Sequence, residues 1–138
     1  MQRPNPPNFI FSVRCPTHAE ICKSIRRKRK GSSPGLNAIT YVPYKKCKSL
    51  QKFVVKFARK IWRKKDIPAD WAQAFIVLLS KSQDLATVSE FCPIAITCTV
   101  GKIFFSVVAD TLQLFMLKNS FISREIQNGF LAGVPGCI

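Results

Sequence analysis

Residues 89–108, "SEFCPIAITCTVGKIFFSVV", hold two patterns in succession. Cys92 stands before Pro93, and a residue ahead of proline is held extended, so 92–97 predicts an extended piece. Beyond it Val100, Ile103, Phe104, Val107, Val108, Thr111, Leu112 and Phe115 recur at helical spacing. They predict a long helix that is the best candidate for the core. Upstream, 74–79 in "AQAFIVLLS" is a short unbroken apolar run and reads as a buried strand.

Working further toward the amino terminus, Leu50, Phe53, Val54, Phe57, Ile61 and Trp62 form one apolar stripe, which predicts a helix over 50–65 that "DIPADW" ends at Pro68. Lys52, Lys56, Arg59, Lys60 and Arg63 fall on its other sides. In "PTHAEICKSIRRKRKGSSPG", Thr17 and Glu20 have the spacing of a capping box, Ile21 and Ile25 lie a turn apart, and Gly31 with Pro34 supplies the stop. The opening "MQRPNPPNFIF" is rich in Pro and Asn, so residues 1–16 read as a disordered leader and 17–138 as the folded part. At the other end, "FISREIQNGFLAGVPGCI" offers a short helical or loop segment followed by Gly129, Gly133, Pro135 and Gly136, which favour turns or an edge strand. Several helices with a few short strands make the expected class α+β.

The apolar fraction, 47%, and the charged fraction, 21%, are ordinary for a globular chain, so the net charge of +15 is the informative quantity. Residues 1–65 hold 18 of the 22 Lys and Arg and a single acid, Glu20, a net +17, whereas 66–138 carry a net −2. So one-sided a distribution attracts polyanions through counterion release, with nucleic acid the commonest partner and a membrane surface the main rival. No run of about 18 uncharged apolar residues is present. The nearest, 103–117, is interrupted by Asp110, and the reading is therefore no membrane span.

Cys15, Cys22, Cys47, Cys92, Cys98 and Cys137 are irregularly spaced and follow no secretory signal. They read as reduced thiols of a nuclear or cytoplasmic, not secreted, protein. Cys15, His18 and Cys22 have a loosely metal-like spacing but lack a fourth ligand, so no metal site is expected.

Four fragments then fall in one order: "SSPGLNAITYVPYK", "IPADWAQAFIVLLSK", "EFCPIAITCTVGKIFFSVVADTLQ" and "EIQNGFLAG". Together they resemble the amino-terminal, fingers part of the reverse transcriptase of LINE-type (non-LTR) retrotransposons, over about residues 17–138. The resemblance implies an RNA-directed DNA polymerase with a right-hand fold whose mostly helical fingers guide the template and cover the incoming nucleotide. It places the magnesium-binding aspartates of the palm downstream of "QNGF", so the chain is expected to be a fingers fragment, truncated before the palm, with Mg²⁺ a cofactor of the complete enzyme only. The acids present, Glu20, Asp66, Asp70, Asp84, Glu90, Asp110 and Glu125, do not form the palm's paired pattern.

By the same resemblance the loop after "LLSK" and the "RPI" piece form two sides of a nucleotide-covering hairpin. Lys81 matches the family's lysine, and Cys92 stands where the family has arginine. A guanidinium offers phosphate a fixed fork of donors and a permanent charge; a thiol offers neither. The alternative for Cys92 is simple packing among apolar neighbours. Leu36, Asn37 and Ala38 replace the Pro, Asp and Gly of "SPGPDGI", and Ala38 reaches positive φ less freely than glycine. Thr111 occupies another position where the family often has arginine.

The expectation is a catalytically silent fragment that binds RNA or DNA through Arg26, Arg27, Lys28, Arg29, Lys30, Lys52, Lys56, Arg59, Lys60 and Arg63. Trp62, Tyr41 and Tyr44 are either base-stacking or core residues. Apolar surface around Phe104, Phe115 and Phe121, normally leaning on a palm, would favour self-association. Two alternatives stand beside it: an active polymerase completed by a palm outside this chain, and a nuclear targeting or interaction module built on "RRKRK".

Overall fold

The computed structural model describes residues 6–81 and 87–123. It contains helices α1 (His18–Arg27), α2 (Val42–Lys46), α3 (Lys48–Lys64) and α4 (Thr99–Lys118), with strands β1 (Ala74–Ser80) and β2 (Phe91–Thr97) between α3 and α4. The class is α+β. The expected Cys137, Gly129, Gly133, Pro135 and Gly136, the "QNGF" segment, Asp84 and Glu125 lie outside the described residues.

Two compact units divide the chain: 15–105 forms one, and 1–14 with 106–138 the other. In the first, α1 begins as its sequence dictates. The Thr17 side chain accepts the Glu20 N–H, and the Glu20 carboxylate accepts the Thr17 N–H at 2.9 Å and its hydroxyl at 2.8 Å. Ile21 and Ile25 are wholly buried on its inner face. Pro43 near the start of α2 fits a helix's first turn, where a missing N–H costs nothing. This five-residue helix had no periodic signal to reveal it, being shorter than two turns. Val54, Val55, Ala58 and Ile61 of α3 join Ile103 and Phe104 of α4 in the core. The Ser24 hydroxyl, buried with them, donates to the Ile103 carbonyl at 3.1 Å.

An aromatic cluster completes this core. Trp71 lies between Phe57, Phe104 and Phe105, with ring centroids 5.9, 5.5 and 5.8 Å away. Its indole covers Gly101, where an added Cβ would stand 3.2 Å from two ring carbons. Tyr41 and Tyr44 are buried, 2% and 5% exposed, which assigns them to packing and removes them as base-stacking residues. Trp62 makes an edge contact with Phe104 at 6.3 Å.

The strands pair antiparallel from Ala74↔Thr97 to Ser80↔Phe91. The expected buried strand is not buried: every residue of β1 is exposed, Phe75 by 52% and Ile76 by 61%. Its apolar run arises because both faces of a two-stranded ribbon are alike among the described residues, with neither covered. An unbroken apolar run signals two equivalent faces and cannot say whether anything lies against them. Leu78↔Pro93 falls between the hydrogen-bonded pairs if the ladder alternates inward from the Lys81 N–H to Glu90 carbonyl bond of 2.8 Å, so the proline removes no ladder bond.

The segment preceding α2 braces the root of this ribbon. A Cβ on Gly35 would come within 2.5 Å of the Thr97 carbonyl oxygen, so only glycine permits the approach. The following turn closes with the Ala38 N–H donating to the Gly35 carbonyl at 2.9 Å and the Asn37 side chain accepting the Ile39 N–H at 3.3 Å. Ala38 takes φ 54°, the left-handed conformation its side chain disfavours. The Thr99 hydroxyl, fully buried, donates to the Ile39 carbonyl and fixes the turn to the start of α4.

In the second unit, residues 6–14 have no helix or strand and are docked. Asn119 accepts the Phe9 N–H at 2.8 Å and donates to the Phe9 carbonyl at 3.1 Å. Phe11 meets Phe115 edge-on at 5.5 Å, and Phe115 meets Phe121 at 5.8 Å. The 20-residue α4 is long and apolar enough by length and composition to cross a membrane, with mean hydropathy 1.5 and 22% of that window buried. Core helices of soluble proteins meet the same measure. Phe104, expected on exposed apolar surface, is 5% exposed, whereas Leu112, expected in the stripe, is 50% exposed.

Candidate nucleic-acid interface

The sequence of α3 arranges its surface in sectors. At about 100° per residue, Leu50, Val54, Ala58, Ile61, Val55 and Trp62 span one broad arc, and Lys52, Lys56, Arg59, Lys60 and Arg63 span the arc opposite. Lys56, Arg59, Lys60, Arg63 and Lys64 line one shallow groove of about 370 Å³. Lys64 was not among the expected binding residues, although its place beside Lys60 on the helical projection announces it. No Asp or Glu occurs anywhere in 21–65, so this face carries no carboxylate of its own.

The basic run of α1 is placed differently. Arg26 and Arg27 form its last turn, where cations oppose the negative helix end, and Lys28 caps it in an extended conformation. Arg26, Arg27, Arg29 and Lys30 are exposed and Lys28 is half-buried. The Lys45 amine donates to the Arg26 carbonyl at 2.8 Å, which ties α2 to the end of α1.

Between the basic and buried arcs of α3 lie Phe53 and Phe57, stacked at 5.8 Å with 11° between their planes. Phe53 was expected in the buried stripe; it is 58% exposed. It sits at the border of that stripe, where helical periodicity alone does not decide which way a ring faces. The two rings open onto a cleft of about 420 Å³ whose wall includes Trp71 and Leu36 and whose polar members are Asn37, Asp70 and Gln73.

Lys81 and Cys92 are brought together by the ribbon. Cys92 pairs with Leu79, and Lys81 follows Leu79 by two residues, so both occupy one side of the hairpin near its tip. Cys92 is exposed and free, and the Lys81 amine donates to the Ser89 carbonyl at 3.1 Å across the turn. The Cys22 thiol lies 3.7 Å from the His18 ring. Among the described residues no three His, Cys, Asp or Glu side chains converge as a metal site.

Burial pushes the Tyr41 and Tyr44 phenols above the ordinary 10.0, and negative charge on Cys98 adds to the effect. Burial lowers Lys102, with Cys98 opposing; its amine donates to the Ser33 carbonyl at 3.0 Å. These groups lie at the base of the turn, outside the basic face.

Neither the protein-family models nor the curated proteins match this chain. The functional reading therefore rests on the residues and their placement.

Proposed function

We propose that this chain is a nucleic-acid-binding element, the fingers part of a reverse transcriptase of LINE-type (non-LTR) retrotransposons, gripping RNA or DNA through phosphates without itself joining nucleotides. The observation that carries the binding is the cationic face of α3, where five Lys and Arg line one groove with no carboxylate in the surrounding 21–65. Such a face exchanges condensed counterions for phosphate oxygens and reads little sequence. The family assignment is supported by the four fragments in order and by the hairpin that sets Lys81 and Cys92 on one side.

Polymerisation would need carboxylates that hold two metal ions at a primer end. Asp66 and Asp70 lie outside helix and strand or in a short 3-10 turn, and Asp110 lies within α4. These three do not form that pair, and in the proposed reading the chain's residues bind and orient a strand.

Fluorescence anisotropy with a short labelled RNA and the matching DNA tests the reading. Affinity should fall linearly on a log–log plot as salt rises from about 50 to about 200 mM. Replacing Lys56, Arg59, Lys60 and Arg63 by Gln should reduce the slope by roughly three, near 0.7–0.9 per lost phosphate contact. Absence of binding at low salt, or a slope untouched by the four changes, would overturn it.

A further inference from the structure

The cleft beside α3 has a chemistry different from the ridge that borders it. Its floor and walls are aromatic or aliphatic, with Phe53, Phe57, Trp71 and Leu36, and its polar members are two amides and a carboxylate, Asn37, Gln73 and Asp70. Its volume, about 420 Å³, is that of a small-molecule pocket. We infer that it receives one unstacked base of a single-stranded nucleic acid whose backbone follows the basic face of α3. This inference rests on the proposed reading of that face and adds a mode of binding to it.

Two observations converge. Phe53 backs onto Phe57 in a nearly parallel stack, yet remains 58% exposed, so a π-face beside the cleft is open to a third ring. Base-on-aromatic stacking is sequence-tolerant because every base has such a face. Lys56 and Lys60 stand three and seven residues after Phe53, one and two turns along the same side of α3, where they would meet phosphates flanking a seated base.

Charge separates the two subsites. Asp70 repels a phosphate and accepts from base amino or imino groups, while the amides of Asn37 and Gln73 can each donate and accept. The cation ridge favours the phosphate and offers no ring to stack on. Backbone and base are thereby sorted to neighbouring surfaces. A duplex, whose bases stay stacked and paired, could use the ridge alone.

The test uses the full chain with a labelled single strand of about 12 nucleotides, a length within the usual site size, and a hairpin duplex of equal phosphate number. Wild type should bind the single strand more tightly. Phe53→Ala should lower single-strand affinity roughly fivefold or more while leaving duplex affinity and the salt slope unchanged. In a Trp62→Phe background, emission from Trp71 should be quenched by the single strand and not by the duplex. Equal binding of both nucleic acids, with Phe53→Ala inert, would overturn the base subsite and leave the phosphate-binding face standing. A loss shared by both ligands and accompanied by a lowered melting midpoint would also overturn it, by giving Phe53 a structural role. Failure of wild type to bind either at low salt would overturn both readings.

Discussion

Two residues show how a single side chain fixes a local property. Ala38 is held at φ 54° by the Gly35 turn below it and the Thr99 bond beside it. A left-handed alanine costs about 1 kcal/mol that glycine avoids, partly offset by glycine's greater unfolded freedom. Ala38→Gly should raise stability by about 0.5–1 kcal/mol, read as a shift of the urea midpoint at constant m. A lower midpoint would show the strain to be absent. Cys92 gives the functional counterpart: on the hairpin side that also carries Lys81, an arginine would add a fixed fork of donors. Cys92→Arg should tighten binding of a nucleoside triphosphate roughly tenfold, measured by calorimetry, the worth of one charge-assisted hydrogen bond. An unchanged affinity would detach Cys92 from phosphate recognition.

At the scale of elements, helices were more legible than their environments. The stripe in 50–65 gives α3 as Lys48–Lys64, and the periodic set from Val100 to Phe115 gives α4 as Thr99–Lys118. Thr17 and Glu20 state the start of α1 through a local bond, so that terminus needs no tertiary information. Burial is another matter, because it depends on what else is present. Phe53 and the β1 run are apolar by sequence and exposed in the structure, while the basic groove depends on Lys64 joining four residues the stripe had already set aside. The ribbon yields a test of its own. Ile76 and Leu78 occupy one face with Ala95 and Pro93, all exposed. A two-stranded ribbon with such faces is an association hazard. Ile76→Lys with Leu78→Lys should shift gel-filtration elution toward monomer while changing the melting midpoint little, since neither side chain is in the core. Persistence of larger species would place the sticky surface elsewhere, for instance at Leu112 and Leu114 of α4, 50% and 54% exposed.

For the whole molecule, charge and titration set the working conditions. With a net charge of +15 and a sequence pI near 10.0, the proposed association with a polyanion should be strongest at low salt. Tyr41 and Tyr44 have folded-state values raised above 10.0, so the fold binds their protons more tightly than the unfolded chain. Their contribution is fully present below pH 10.0 and is lost as pH rises through the folded values. Lys102 works in the opposite sense: its lowered value makes the charged form a cost that disappears toward pH 10.5. Two buried phenols against one partly buried amine predict a net loss of stability above pH 10, followed by circular dichroism. Tyr41→Phe should flatten the decline, and an unaltered alkaline profile would count against burial as its cause.

Gly35 has a mechanical consequence. By pressing on the Thr97 carbonyl it clamps the hairpin where β2 passes into α4, at the end of the ribbon away from Lys81 and Cys92. A cantilever of this kind bends least at its clamp and most at its tip, and the tip is where Lys81 and Cys92 sit. Their distance from any neighbouring charge is thus an adjustable quantity, set by how far the beam leans.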